Sequence, residues 1–444
     1  MKIFNTLTNK LESFKPIHEN TVNIYVCGPT VYNYIQIGNA RPVIFFDVVR
    51  RYFEYLGYTV NFVSNFTDID DKIITKALAD QKTEMEIANK FIDAFYKDVE
   101  RVGSSTDYLA PRVTEYMDSI ISYIKKLVDK GYAYEIDGDV YFRVSKMDDY
   151  GILSGRNIDD LTSGARIEIN NKKENPLDFT LWKKTDLGIK FPSPFGEGRP
   201  GWHTECVAMI DDIFGGKIDI HGGGADLMFP HHENEIAQNQ ALHHHYTANY
   251  WMHNGHLNIN DKKMSKSEGN YILVKDLDKD YMGFRLFTLS TYYRSPINYT
   301  DELLEQYVQE WQKLKRTYTQ AFYKLDIQEY LDEPIITFKE LETIKKAFTD
   351  AMDNDFNTAN AITELQNLNK YTNQKIRQKE AQDALLAAVH LFDIFFSILG
   401  LNPRVKRMNH ATRNMYMEWA DARKNKDYEK ADYLREQLSE KGVL

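Results

Sequence analysis

Two cysteines, a histidine–glutamate pair and two short loops carry the side chains best suited to chemistry. His231 and Glu235 are four residues apart, so a helix would turn both to one face. An imidazole and a carboxylate presented together can hold a metal ion, and thiolates are equally good donors. The chain's two cysteines, Cys27 and Cys206, lie 179 residues apart, far from any zinc-ribbon spacing. By spacing alone, two core cysteines and an ordinary capped helix account for these residues better than a metal does. Residues 29–39 form a loop running into a helix whose first turn includes Pro42. Asn39 can cap that helix and Gly38 admits a close backbone approach. Free amides and the helix dipole then favour a phosphate there. Residues 261–270 bring Lys263 and Lys266 into one loop. Two such cations could clamp a charge-rich transition state while Ser265 and Ser267 hold phosphate oxygens. An exposed turn with solvated lysines reads the same way. His203, His232 and the run His243-His244-His245 are competing ligands, although adjacent histidines on a helix diverge.

These residues need elements to hold them. Residues 22–28 read as a strand ending at a glycine, 42–56 repeat apolar side chains at helical spacing, and 58–64 alternate as a strand. Such a βαβ unit seeds a parallel, doubly wound sheet. The pattern returns at 217–221, a strand running into Gly222-Gly223-Gly224, followed by a helix opened by Pro230. Between the halves, about 75–200 reads as an insertion. Past residue 301, long helical patterns over 301–325, 337–353, 358–374 and 379–399 imply an all-α bundle. The expected architecture is therefore an α/β, Rossmann-like parallel sheet with an insertion (1–300, the lysine loop at about 250–300), a helical bundle (301–400) and a small C-terminal segment (401–444).

Apolar residues make up 43% and charged residues 27% of the 444, enough to build cores over about three domains and to exclude wholesale disorder. The 55 basic and 65 acidic side chains leave a charge of −10, which excludes a uniformly basic nucleic-acid coat. Residues 404–444 carry +3 against −13 for the rest. That asymmetry suggests a polyanion contact, although a solvated helix surface is the simpler account on charge alone. No stretch reaches the ~18 uninterrupted apolar residues of a membrane span, since 385–401 is broken by His390 and Asp393. With no leader pattern and two cysteines, a cytoplasmic protein without membrane contact is expected.

Taken together, the two loops resemble the two signature motifs of class I aminoacyl-tRNA synthetases, and Lys263-Met264-Ser265-Lys266-Ser267 matches the second at every position. Tyr25-Val26-Cys27-Gly28-Pro29-Thr30-Val31-Tyr32, Asn65-Phe66-Thr67-Asp68, Gly201-Trp202-His203-Thr204-Glu205-Cys206, Asp219-Ile220-His221-Gly222-Gly223-Gly224 and Phe229-Pro230-His231-His232-Glu233-Asn234-Glu235 narrow the resemblance to the cysteinyl-tRNA synthetase family. It covers nearly the whole chain. The resemblance implies one zinc ion on Cys27, Cys206, His231 and Glu235, and a cysteine pocket of Cys27, Thr67, Trp202 and His221. It also implies ATP, with magnesium, on Thr30, Gly38, Asn39, Gly222, Gly223, Gly224, Asp226, Lys263 and Lys266. Lys266, supported by Lys263, would stabilise the transition-state phosphate, with Gln36 and Asn39 completing the catalytic set. The implied activity joins L-cysteine to tRNA(Cys) through a cysteinyl-adenylate, in a monomer. A soft sulfur ligand on zinc would reject serine where shape discriminates by only about 1–3 kcal/mol, so no editing domain is expected.

Two features depart from the family pattern. The first signature usually begins with histidine, and Gln36 stands there; slowed adenylate formation is expected. The family's chains continue past the helix expected at 411–440, so 401–444 is expected to be a shortened anticodon-binding segment. A cysteine ligase for a small amine acceptor, as in mycothiol synthesis, and a non-catalytic regulatory paralogue are the alternatives. The retained helical part opposes the first and the intact lysine loop opposes the second.

Overall fold

The computed structural model describes residues 1–156, 172–264, 269–378, 381–441 and 443. Two compact units divide the chain, Met1–Asp278 with Tyr293–Tyr299, and Lys279–Tyr292 with Thr300–Leu444.

The first unit is built on four parallel strands. In chain order the elements that matter are β1 (Thr21–Val26), α1 (Ile37–Tyr55), β2 (Thr59–Ser64), α2 (Glu205–Phe214), β3 (Ile218–Gly224), α3 (Glu233–His243) and β4 (Ala248–Asn254). The strands lie in the order β4-β3-β1-β2. Val22 to Val26 are all buried, as expected for a parallel strand covered on both faces. From β1 the chain crosses through α1 to one side, and from β3 through α3 to the other. The crevice between β1 and β3 is thus a topological switch point, where open α/β sheets bind ligands.

Helix α1 starts at Ile37, ahead of the expected 42, because Gln36 in extended conformation (φ −87°, ψ 156°) is its N-cap. Pro42 lies inside the helix, where its missing N–H leaves the Gly38 carbonyl without a helical partner. Asn39 sits in the first turn and is not the cap, so its expected capping role is corrected.

Between β2 and α2 come helices Asp71–Asp80, Glu84–Arg101 and Met117–Asp129. They are followed by an antiparallel sheet of Ala133–Ile136, Asp139–Phe142, Phe179–Lys184 and Gly198–Pro200. One apolar core runs from Tyr25 and Val63 of the parallel sheet through Ile120, Phe142 and Trp182 of this insertion to Met209 and Trp251. A smaller sheet of Leu257–Ile259, Lys262–Lys263 and Ile297–Tyr299 carries the entry to the lysine loop.

The second unit is helical, with Tyr281–Leu289, Asp301–Asp326, Lys339–Asp353, Thr358–Ile376, Gln382–Leu399, His410–Lys424 and Tyr428–Glu440. Gln382–Leu399 is long and apolar enough to cross a membrane by length and composition, but 67% of it is buried inside the protein. Its Asp393 accepts from the Tyr318 hydroxyl at 2.7 Å. The single helix expected over 411–440 is two helices. Lys426 takes a left-handed conformation (φ 61°) and Asp427 caps the second helix through the Lys430 N–H, so the Asn-Lys-Asp sequence ends one helix and starts the next.

Candidate metal centre and ligand cavity

Each of the four candidate donors is placed by a different turn of the chain. Cys27 follows β1, its N–H donating to the Gly222 carbonyl of β3 at 3.2 Å. Next to it a Cβ on Gly28 would stand 1.6 Å from the Asn65 carbonyl oxygen, so only glycine fits this crossing. Cys206 lies in the first turn of α2. His231 belongs to the wide turn Met228–His232 leading into α3, and Glu235 to the first turn of α3. The helix expected to open at Pro230 therefore begins at Glu233, and the i, i+4 pair survives across the junction with His231 Nε2 3.1 Å from Glu235 Oε1.

These elements bring together cysteines 179 residues apart in sequence. Cys27 Sγ is 3.5 Å from Cys206 Sγ, 3.4 Å from His231 Nε2 and 3.6 Å from Glu235 Oε1. A tetrahedral ion with bonds of about 2.0–2.3 Å to nitrogen, oxygen and sulfur has ligand–ligand edges of roughly 3.3–3.8 Å. The three edges from Cys27 fall near that range, the His231–Glu235 edge is shorter at 3.1 Å, and all four donor atoms lie within 4.8 Å of one another. A second group, Cys27, His221, His232 and Glu235, also gathers its donor atoms within 4.8 Å. There His221 Nε2 stands only 2.8 Å from Glu235 Oε2, a hydrogen bond rather than a coordination edge. His221 thus orients the Glu235 carboxylate from behind, as outer-shell partners of metal ligands do. His203 Nδ1 faces His231 Nδ1 at 3.3 Å and Trp202 stacks on the His231 ring at 4.5 Å. The run His243-His244-His245 ends α3, with His244 in left-handed conformation and His243 paired with Asp211 at 2.7 Å.

The electrostatics of the cluster follow from burial against mutual charge. Burial alone would raise the Glu235 pKa, but His221 and His231 overcome it and hold the carboxyl at about 2. Burial opposes a charge on His231 too, and Glu235 and Cys206 outweigh it, lifting the imidazole to about 10. The hydrogen bond from Cys27 lowers the Cys206 thiol to about 6, while burial pushes Cys27 up. The centre thus stores positive charge as a proton on His231, in the place where a metal ion would supply it. Burial pushes His203 and His253 down to about 3 and lowers His232 as well.

Beside the centre, a cavity of about 490 Å³ opens at the β1/β3 crevice and the N-terminus of α1. Cys27, Thr30, Gln36, Gly38, Asn39, Trp202, Gly224 and Asp226 line it, together with Met264. Thr67, His221, Gly222 and Gly223 lie behind that lining, buried. Thr67 is tied down there, its hydroxyl donating to Glu205 Oε2 at 2.8 Å. Lys266, with Ser265 and Ser267, lies outside the described residues, and of Lys263 only the backbone is described. Asn65, Glu205 and His253 are further neighbours of the cluster, to which the sequence assigns no role: Asn65 Oδ1 lies 3.6 Å from Cys206 Sγ, Glu205 accepts from Thr67 and His253 contacts His232. His253 is brought there by the register of β4 on β3, which sets it beside Gly223 and is visible only in the fold.

A parallel sheet with a ligand crevice at its switch point, followed by a helical unit, is the fold of a class I tRNA synthetase, and Cys27 joins that crevice to the four-donor cluster. The family described as "tRNA synthetases class I (C) catalytic domain" matches residues 13–309 and the DALR domain matches 347–402. The cysteine–tRNA ligases of Bacillus cereus (strain B4264) and Bacillus anthracis (strain A0248) are each 47% identical over 448 residues, covering 100% of this chain and 96% of the relative. Among solved structures, Mycobacterium tuberculosis methionyl-tRNA synthetase in complex with methionyl-adenylate superposes with a TM-score of 0.62 at 14% identity, over 85% of this chain and 89% of that one. The Agrobacterium radiobacter leucyl-tRNA synthetase ternary complex gives 0.62 at 11% identity, over 89% and 88%. The chain belongs to the cysteine–tRNA ligase family.

Proposed function

We propose that this chain charges tRNA(Cys) with L-cysteine at the expense of ATP, using one zinc ion on Cys27, Cys206, His231 and Glu235. The observation that carries the reading is that these four donors meet at near-tetrahedral spacing, with Cys27 also lining the cavity at the switch point. When bound, zinc offers a soft, Lewis-acidic partner that a substrate thiolate ligates far better than a hydroxyl does. Trp202 on the cavity wall, with Thr67 and His221 behind it, shapes the cysteine side of the site. Thr30, Gly38, Asn39, Asp226 and the 222–224 glycines frame the ATP side, with magnesium on the phosphates. The positive end of α1 faces the nucleotide there.

The cysteine carboxylate attacks the α-phosphorus and pyrophosphate leaves; a terminal ribose hydroxyl of tRNA then attacks the adenylate carbonyl, losing its proton as the anhydride C–O bond breaks and AMP leaves. Positioning and charge stabilisation suffice for both steps, and Lys266, aided by Lys263, is assigned the charge developing on the phosphate. Gln36 donates a neutral hydrogen bond at the first signature. Residues 401–444 serve anticodon binding, and the enzyme works as a cytoplasmic monomer. The test is cysteine-dependent ATP–pyrophosphate exchange, with serine as control, followed by transfer to tRNA. Exchange without transfer would favour the small-amine ligase; neither activity would favour the regulatory paralogue.

A further inference from the structure

A chain of three hydrogen bonds leads from the metal centre to the N-terminal segment. Cys27 Sγ lies 3.3 Å from His232 Nε2, His232 Nδ1 lies 2.8 Å from His253 Nε2, and His253 Nδ1 lies 3.0 Å from Thr6 Oγ1. His232 and His253 are buried. Thr6 is held in place by its own N–H, which donates to the Trp251 carbonyl of β4 at 2.9 Å. The preceding Asn5 clamps the same strand, accepting from the Trp251 N–H and donating to the Asn249 carbonyl.

The directions of these bonds can be deduced. A metal-ligating cysteine is a thiolate and can only accept, so His232 must present Nε2–H to it. One proton serves each contact between facing ring nitrogens, which makes His232 Nδ1 an acceptor and His253 Nε2 its donor. His253 Nδ1 is then a bare lone pair, and the only group set to fill it among the described residues is the Thr6 hydroxyl.

We propose that Thr6 is a positioning residue of the metal centre: its hydroxyl fixes the tautomers of His253 and His232 so that an N–H always faces the Cys27 sulfur. The inference rests on Cys27 being a zinc ligand. An N–H donated to a thiolate draws charge off the sulfur, leaving the metal a better acceptor for a second sulfur, that of the substrate. Outer-shell partners of this kind tune affinity by about 10–100-fold.

The test compares the zinc-loaded full chain with Thr6→Val, which keeps the shape and removes the hydroxyl, and with Thr6→Ser, which restores it. The parent should show His253 and His232 as Nε2–H tautomers by histidine-selective nitrogen NMR. Thr6→Val should bind zinc about tenfold more weakly in chelator competition and shift the sulfur-to-cobalt charge-transfer bands of the cobalt-substituted enzyme. Thr6→Ser should match the parent in all three readouts. A Thr6→Val protein with unchanged zinc affinity, tautomers and cobalt spectrum would overturn the proposal. So would a parent whose His253 carries its proton on Nδ1, a measurement that needs no variant to fold. A parent that takes up no zinc would instead remove the zinc reading and this inference along with it.

Discussion

Replacing Gln36 with histidine should speed adenylate formation, and the structure sets by how much. Gln36 is the N-cap of α1, its backbone is extended, and its side chain makes no capping bond. It lines the cavity together with Gly38 and Asn39. The backbone therefore needs nothing from this side chain, and any residue that tolerates an extended conformation can stand there. What changes is the group offered to a phosphate. A neutral amide hydrogen bond contributes about 0.5–1.5 kcal/mol and one from a cation about 1.5–3, a gap of about 1–2 kcal/mol. If the gap appears in the transition state, Gln36→His gains roughly five- to thirtyfold in rate. The assay is cysteine-dependent ATP–pyrophosphate exchange, with kcat rising and KM for cysteine unchanged. The gain should fade as the pH climbs past the ordinary imidazole range near 6.5, because only the cation exceeds the amide. A Gln36→His enzyme no faster than the parent at pH 6 would refute the assignment of position 36 to the nucleotide.

Glu235→Gln should destabilise the metal-free protein by about 3 kcal/mol in chemical denaturation at pH 7, since a carboxyl held at about 2 instead of 4.5 reports that preference for its charged form. The same carboxylate contributes stability that is complete above pH 4.5 and lost as pH falls through about 2, whereas His231, raised to about 10, contributes stability that is complete below 6.5 and lost as pH rises through about 10. Because Cys206, lowered to about 6, contributes stability that grows over part of the same range, the His231 contribution is read as the difference between the parent and His231→Gln: that difference should shrink from pH 7 to 10, and a difference that grew would contradict the His231 assignment. Zinc uptake at pH 7 must displace the His231 proton and the raised Cys27 proton while Cys206, at about 6, is already largely a thiolate. Calorimetry in buffers of different ionisation enthalpy should therefore count about two protons released per zinc. Gly28→Ala drives a Cβ against the Asn65 carbonyl and should cost about 1–3 kcal/mol or more, read as a drop in Tm with loss of zinc stoichiometry.

What could be read from the chain divides along a physical line. Local patterns carried well: the buried run of β1, the helical spacing of α1 and the glycine-ended strand β3 are each encoded within a dozen residues. Boundaries carried less well where a side chain can act in two ways. Pro42 reads as a helix start, yet it is tolerated inside α1 near its N-terminus, and Lys426 gives no warning of the left-handed turn that splits the last helices. The four-donor cluster shows the sharper limit. Nothing in a 179-residue gap says that Cys27 and Cys206 stand 3.5 Å apart; the strand order β4-β3-β1-β2 brings them together. The resemblance implied a ligand set and the pocket residues Thr67, Trp202 and His221, but gave no role to Asn65, Glu205 or His253. Glu205, Asn65 and His253 are ordinary polar residues in sequence and become significant only because the fold removes them from water. A buried polar group must find a partner or lose about 1–3 kcal/mol, so around a metal centre each partner dictates the next, and the line of donors from Cys27 ends at Thr6 only in three dimensions.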